Sequence, residues 1–485
     1  MNIHQEAALA IGKYHSRRYF LKQCMGGLGT MALGSLMDLG KSTIAPKLKN
    51  GLGPHFPPTA KQVIFLHMAG APSQLELFDY KPVLQKYDGK ACPASLLEGK
   101  RFAFLKGTPQ MMGPQASFQQ YGQTGSWVSQ HLPHFSKMVD DVSFLKAMHT
   151  DEFNHAPAQL FMHTGSPRLG RPSMGSWMMY GLGSENENLP GFVVLTSGSD
   201  PSAGKSAWGS GFLPSLHQGV QCRSQGDPIL YLNNPAGVDE RLRKRSIEII
   251  NEINRKEYEA VGDPEILSRI SQYELAFRMQ AEVPEVMNIK DEPDYIHELY
   301  GTKPGRISFA NNCLLARRLV EKGVRFVQLY DNAWDHHGAG KGSGVVDGLA
   351  GACKNVDQPI AALLQDLKMR GLLDTTLVVW GGEFGRTPMK ETRASGADFK
   401  GRDHHAEAFT IWMAGGGVKA GTTVGKTDEL GYYGIEGKTH IHDLQATILY
   451  CLGINHEQLT YAFQGRDFRL TDVHGHVIKD ILAHV

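Results

Sequence analysis

Six short runs of nearly unbroken apolar residues constrain this chain most: Val63–Met68, Val142–Leu145, Phe192–Leu195, Val324–Tyr330, Thr376–Trp380 and Phe409–Met413. Strands that alternate apolar and polar residues show one face to water. Runs without that alternation belong to strands covered on both faces. Helical spacing fills several of the gaps. Arg306–Lys322 places Phe309, Cys313, Leu314, Leu315, Leu319 and Val320 along one side, and Val356–Leu367 repeats the pattern with Ile360, Leu363, Leu364 and Leu367. His442–Leu452, opening at Asp443, gives a third helix. Strands alternating with helices predict an α/β fold, a mainly parallel central sheet with helices on both faces. The stretch from about 197 to 300 breaks the rhythm. It begins rich in glycine (Gly204, Gly209, Gly211) and turns charged and helical from Val238 to about Met287, so it reads as a partly helical insertion or cap.

Before the first strand lies a different kind of segment. Ser16-Arg17-Arg18-Tyr19-Phe20-Leu21-Lys22 precedes a weakly apolar run from Cys24 to Met37. A basic start followed by a short apolar core marks a secretory signal, and the paired arginines specify twin-arginine export. The run is too short and too rich in glycine to span a bilayer. Thr43-Ile44-Ala45 is a poor small-x-small match for its end. Residues 1–45 are therefore read as a twin-arginine signal, 46–60 as a Pro/Gly-rich linker, and 61–485 as one domain. The expected location is the periplasm or cell surface, with the twin-arginine translocation machinery as partner and no transmembrane span in the mature chain.

Composition bounds the function. A formal net charge of +1 over 485 residues offers no basic excess to hold a phosphate backbone, so nucleic acid is not an expected partner. The five cysteines beyond Cys24 (Cys92, Cys222, Cys313, Cys353, Cys451) are scattered and form no Cys-x-x-Cys pair. That excludes a structural zinc knuckle and a redox motif; Cys313 and Cys451 fall in apolar helical patterns as core fillers. A single disulfide stays open outside the cytoplasm.

Ligands of such sheets gather beyond the carboxyl ends of the strands. There the sequence carries Asp331-Asn332-Ala333-Trp334-Asp335-His336-His337-Gly338, then Gly381-Gly382-Glu383-Phe384-Gly385-Arg386. Gly401-Arg402-Asp403-His404-His405 stands just before the last strand. Carboxylate and imidazole together suit Zn²⁺ or Mn²⁺, and with fewer histidines Mg²⁺ or Ca²⁺. Asp331, Asp335, His336, His337, Glu383, His404 and His405 are the candidate ligands of a divalent metal ion. A His-His pair also has a plain reading as a turn, and Glu383 one as a helix cap or partner of Arg386. A fourth segment, Asn154-His155-Ala156-Pro157-Ala158-Gln159, predicts a short helix ending before Gly165. Its N-terminus would favour an anion, with His155 as ligand, proton carrier or plain cap.

These residues resemble a known family, the exported bacterial proteins grouped as domain of unknown function 1501, relatives of the sulfatase and alkaline phosphatase superfamily. The resemblance spans almost the whole chain. It rests on His67-Met68-Ala69-Gly70-Ala71-Pro72-Ser73-Gln74 through Phe78-Asp79-Tyr80-Lys81-Pro82, on His163 to Arg168, on Pro172 to Trp177, and on the Glu383 and Asp403-His404-His405 loops. It implies an alkaline phosphatase-like fold, with Glu383 in place of the Asp of a metal-binding Asp-His-Gly loop and Phe384 in place of its His. His404 or His405 resembles the later metal-binding histidine; Asp331, Asp335 and His336 or His337 resemble the middle loop. Two departures stand out. His155 occupies the place of a Cys, Ser or Thr nucleophile, and Met68-Ala69-Gly70 lacks the Asp that follows the first strand. Thr164, Ser166 or Ser73 would have to substitute. The resulting expectation is an exported, metal-assisted hydrolase acting on a sulfate or phosphate ester, with a glycan as one form of substrate. In it Asp335, His337, Glu383 and His405 hold the ion, Arg386 or Arg402 clamps the anion, and His155 moves a proton. The alternative is a degenerate extracytoplasmic protein that binds polysaccharide or a partner protein.

Overall fold

The computed structural model describes residues 51–223, 228–229, 232–235, 237–391 and 399–483. The twin-arginine segment and the first part of the linker, 46–50, lie outside the described residues. All six apolar runs form strands: β1 (Gln62–Met68), β2 (Val142–His149), β3 (Phe192–Ser197), β5 (Phe326–Asp331), β6 (Thr376–Gly381) and β7 (Phe409–Ala414). Three short strands complete the sheet: β4 (Val220–Cys222), β8 (Thr423–Val424) and β9 (Thr439–His440). The order is β8–β2–β7–β6–β1–β5–β3–β4, with β9 also paired to β2. Every pairing is parallel except those of β7, which runs against both β6 and β2.

Side chains of a strand alternate between faces, and in β1 each face meets a helical layer. Ile64, Leu66 and Met68 join Leu314, Leu315, Ile360 and Leu363 in one apolar layer. The helices there are α5 (Phe309–Glu321) and α6 (Gly348–Met369). Val63 and Phe65 face the other layer, with Phe161, Trp177, Met178, Leu444 and Ile448. These come from α1 (His155–Thr164), α2 (Met174–Leu182) and α7 (Ile441–Cys451). All seven residues of β1 are buried, as its sequence demands. The Asp443 start of α7 is a capping box closed with His440.

The stretch from 197 to 300 supplies the edge strand β4 and two long helices, α3 (Glu240–Val261) and α4 (Pro264–Met287). Cys92, Cys222, Cys313, Cys353 and Cys451 are all buried and unpaired, so none of them forms the disulfide that the sequence left open. Among the described residues no helix is long and apolar enough to cross a membrane.

Buried Arg317 on α5 ties the helices of one face together. It reaches Glu292 at 2.7 Å and Asp366 of α6 at 3.0 Å, and Asp366 also accepts from Tyr300. Removing one partner leaves the other charges buried and unpaired. Arg317→Ala is therefore expected to cost about 3–5 kcal/mol, measured as a loss of unfolding free energy in a urea titration.

Candidate metal centre

Loops following β1, β5 and β6, the N-terminus of α1, and a two-residue hairpin strand meet beyond the carboxyl ends of the central strands. Asp335 and His337 come from the loop after β5. His404 stands in the short strand His404–His405, which pairs antiparallel with Gly385–Arg386. His155 is the first residue of α1. Asp335, His337, His404 and His155 each bring one donor atom to a common point, with all four atoms within 4.8 Å of one another.

Asp335 Oδ1 is the hub. His337 Nε2 lies 2.6 Å from it, His155 Nε2 3.3 Å and His404 Nε2 3.4 Å. The opposite nitrogen of each ring has its own acceptor. His155 Nδ1 donates to Glu383 Oε1 at 2.7 Å and His404 Nδ1 to the Phe153 carbonyl at 2.7 Å; His337 Nδ1 donates to Glu391. A carbonyl or carboxylate can only accept, so each Nδ1 carries the proton and a neutral ring presents a lone pair at Nε2. Two such atoms, those of His337 and His404, face each other at 3.0 Å. Buried His155 Nε2 has Asp335 Oδ1 3.3 Å away and, among the described residues, no well-aligned hydrogen bond. Three converging imidazole lone pairs and a carboxylate form a donor set for a divalent transition metal, and the acceptors behind the rings are the outer partners such sites use. The residues therefore fit the ion that the sequence suggested.

Electrostatics agree. Without an ion the His155 ring charges: burial would lower its pKa, yet hydrogen bonds to Asp335 and Glu383 raise it to about 9, so Nε2 holds a second proton that a metal ion would displace. Asp335 is held far below the usual carboxylate range, since hydrogen bonds from His155, His337 and His404 outweigh burial. His404 moves the other way, down to about 4, through burial and then the nearby Arg386 charge, despite Asp335. The cluster strongly favours positive charge at its centre.

Glu383 stands behind the cluster. Fully buried, it accepts from Gly70 N at 3.1 Å, Gln159 Nε2 at 3.0 Å and His155, with His67 Nε2 3.3 Å away. Burial raises its pKa, but hydrogen bonds from His155 and His67 win and hold it well below the ordinary value. It orients His155.

Other expected residues are placed elsewhere, each for a visible reason. His405 alternates with His404 along the hairpin strand, so it turns away and donates to the Tyr432 carbonyl at 2.6 Å. His336 packs against Gly348, and burial lowers its pKa to about 4. Asp331 accepts from Trp334 Nε1 at 2.9 Å. Arg402 is fully buried on Glu76, at 2.7 and 2.9 Å, and on the carbonyls of Met112, Gly113 and Thr387. Arg386 does border the centre, 2.6 Å from Asp335, but its remaining donors serve the carbonyls of Ala71, Gly70 and Arg402. Neither guanidinium is open to clamp an anion. Thr164 and Ser166 bond to each other at the far end of α1, and buried Ser73 opens a short helix.

Residues that the sequence reading did not single out for the site are Glu391, Gln159, the Phe153 carbonyl and Gly70 N. His67 carried a signal, as an imidazole ending a strand of apolar residues. Gly70 has φ +111°, and a Cβ there would meet Asp335 N at 2.6 Å. Ala71 and Ala333 on the same loops have positive φ as well, an arrangement that collects at functional sites.

A family model described as "Protein of unknown function (DUF1501)" matches residues 60–482. The chain belongs to that family. No curated protein matches its sequence. Solved structures similar in fold include a TAB5 alkaline phosphatase mutant with Mg bound in its M3 site, from an Antarctic bacterium; identity is 13%, coverage 82% of this chain and 99% of that one, TM-score 0.33. Another is the sulfatase PsFucS1 from Pseudoalteromonas sp., at 12% identity, 82% and 68% coverage, and TM-score 0.36. The lipoteichoic acid synthase LtaP from Listeria monocytogenes shares 11% identity over 88% and 78%, TM-score 0.36.

Two outcomes follow from this geometry. Gly70→Ala should displace the Asp335 loop and lower metal content in elemental analysis while far-ultraviolet dichroism stays native. Burial raises the Asp331 pKa to about 7 against 3.8 for the free group. The folded state therefore binds its proton more tightly, and stability is lost as pH rises from about 4 to about 7. Asp331→Asn should remove that loss, at most about 4 kcal/mol. Melting temperatures at pH 5 and pH 8 test it: the variant should gain more on the wild type at pH 8 than at pH 5.

Proposed function

We propose that the protein is an exported metal-assisted hydrolase of sulfate or phosphate esters, with His155, Asp335, His337 and His404 holding one divalent ion. The observation that carries this reading is the convergence of three Nε2 lone pairs and one carboxylate, each ring fixed by an acceptor at Nδ1. An ion bound there supplies Lewis acidity toward water and toward an ester oxygen. Glu383 and Glu391 hold the Nδ1 protons of His155 and His337 and so keep both rings turned inward. Asn154, the N-cap of α1, makes no side-chain cap, and with Pro157 lacking an N–H the groups left to favour an anion at that end are those of His155 and Ala156.

The four converging side chains are three histidines and an aspartate, with no hydroxyl or thiol among them. Hydrolysis by direct attack of water, without a covalent enzyme ester, is the route that such a donor set supports. The twin-arginine segment supplies the reading of export.

Elemental analysis of protein purified without chelators is expected to give about one zinc or manganese per chain, absent from His404→Ala. Chelation or His404→Ala should abolish hydrolysis of 4-nitrophenyl sulfate or phosphate, and Glu383→Gln should weaken metal retention about 10- to 100-fold. A stable wild type that takes up no ion would overturn the reading in favour of a binding protein.

A further inference from the structure

The expected anion clamps, Arg386 and Arg402, are spent on carbonyls and on Asp335 and Glu76. An anionic substrate needs cations elsewhere. A cavity of about 620 Å³ opens along the edge strand β4 and the end of β3. Its walls include Thr196, Asp200, Lys205, Trp208, Gln221 and Arg223. That volume lies within the range of small-molecule sites, about 300–1,000 Å³.

Hydrogen bonds link this cavity's wall to the metal centre. Ala203 N donates to Gln159 Oε1 at 2.9 Å, and the amide nitrogen of the same Gln159 donates to Glu383. Asn332, between β5 and Asp335, bonds to Ser199 of the same loop. The loop from Gly198 to Trp208 is thus the partition between cavity and cluster. Lys205 and Arg223 line the cavity with exposed side chains. Asp200, the acidic residue beside them, is engaged by Gln221 Nε2 at 2.8 Å. Behind them Trp208 is buried in the apolar layer, its ring centroid 5.7 Å from that of Tyr330. Two exposed cations suit a polymer that carries repeated negative groups.

We infer that this cavity receives the body of a polyanionic polymer whose sulfate or phosphate ester is hydrolysed, with Lys205 and Arg223 as the residues that recognise its further sulfate or phosphate groups. The inference rests on the hydrolase reading for its chemistry, but its binding step does not require turnover. The two residues act on substrate binding, so they set KM and not the bond-breaking step.

Dextran sulfate and polyphosphate serve as probes, titrated calorimetrically into the full chain at low salt. The double variant Lys205→Ala/Arg223→Ala should weaken binding of the preferred polymer tenfold or more. Its metal content should stay at the wild-type level. A control pair on α3, Lys244→Ala/Lys256→Ala, removes the same charge from an exposed helix and should leave binding intact. Which polymer binds tells sulfate from phosphate recognition. Wild-type affinity in the Lys205/Arg223 variant, equal weakening in the control pair, or no binding of either polymer would overturn the inference. Failure of the hydrolase reading shows separately, as polymer binding by a chain that holds no ion and turns over no ester.

Discussion

One carboxylate oxygen organises the centre of this molecule. Asp335 Oδ1 gathers the Nε2 atoms of His155, His337 and His404, residues from three separate chain segments. Imidazole lone pairs brought this close repel unless positive charge lies between them. That cost is tolerated because the surroundings over-determine each ring. Glu383, Glu391 and the Phe153 carbonyl fix the Nδ1 protons, and Gly70, Gln159 and His67 fix Glu383 in turn. The positive φ of Gly70, Ala71 and Ala333 belongs to the same bargain, since these loops give up easy backbone geometry to bring β1 and β5 together at the site.

The sheet makes this possible. β1 and β5 pair in register from Val63 with Phe326 to Met68 with Asp331, so the loops leaving them start side by side. α1 packs its Phe161 and Met162 into the apolar layer and thereby aims its N-terminus, with His155, at the same spot. The acceptor chain then couples the centre to the fold. Gln159 touches both Glu383 and the loop that carries Lys205, so the metal centre and the neighbouring cavity share one support.

Much of this was legible in the sequence, and the parts that were not have identifiable causes. Unbroken apolar runs specify strands covered on both faces, and all six formed; helical spacing found α5, α6 and α7. Loops rich in Asp and His at strand ends pointed to the right end of the sheet. Choosing between adjacent histidines was beyond reach, because His404 and His405 point to opposite sides and only pairing with Gly385–Arg386 decides which faces inward. The burial of Arg386 and Arg402 was equally hidden, since a surface clamp and a structural guanidinium look alike in one dimension. Glu391 sits in a charged run with no feature to mark it. The edge strand β4 is only three residues long and gives no pattern to read.

X-ray absorption at the metal edge of the cobalt- or zinc-loaded protein addresses the central claim most directly. The account predicts a first shell of about three imidazole nitrogens and one carboxylate oxygen, at the roughly 2.0–2.2 Å normal for zinc, and one imidazole fewer in His404→Ala. A shell of carboxylate and water oxygens without imidazole, or a spectrum that His404→Ala leaves unchanged, would contradict it.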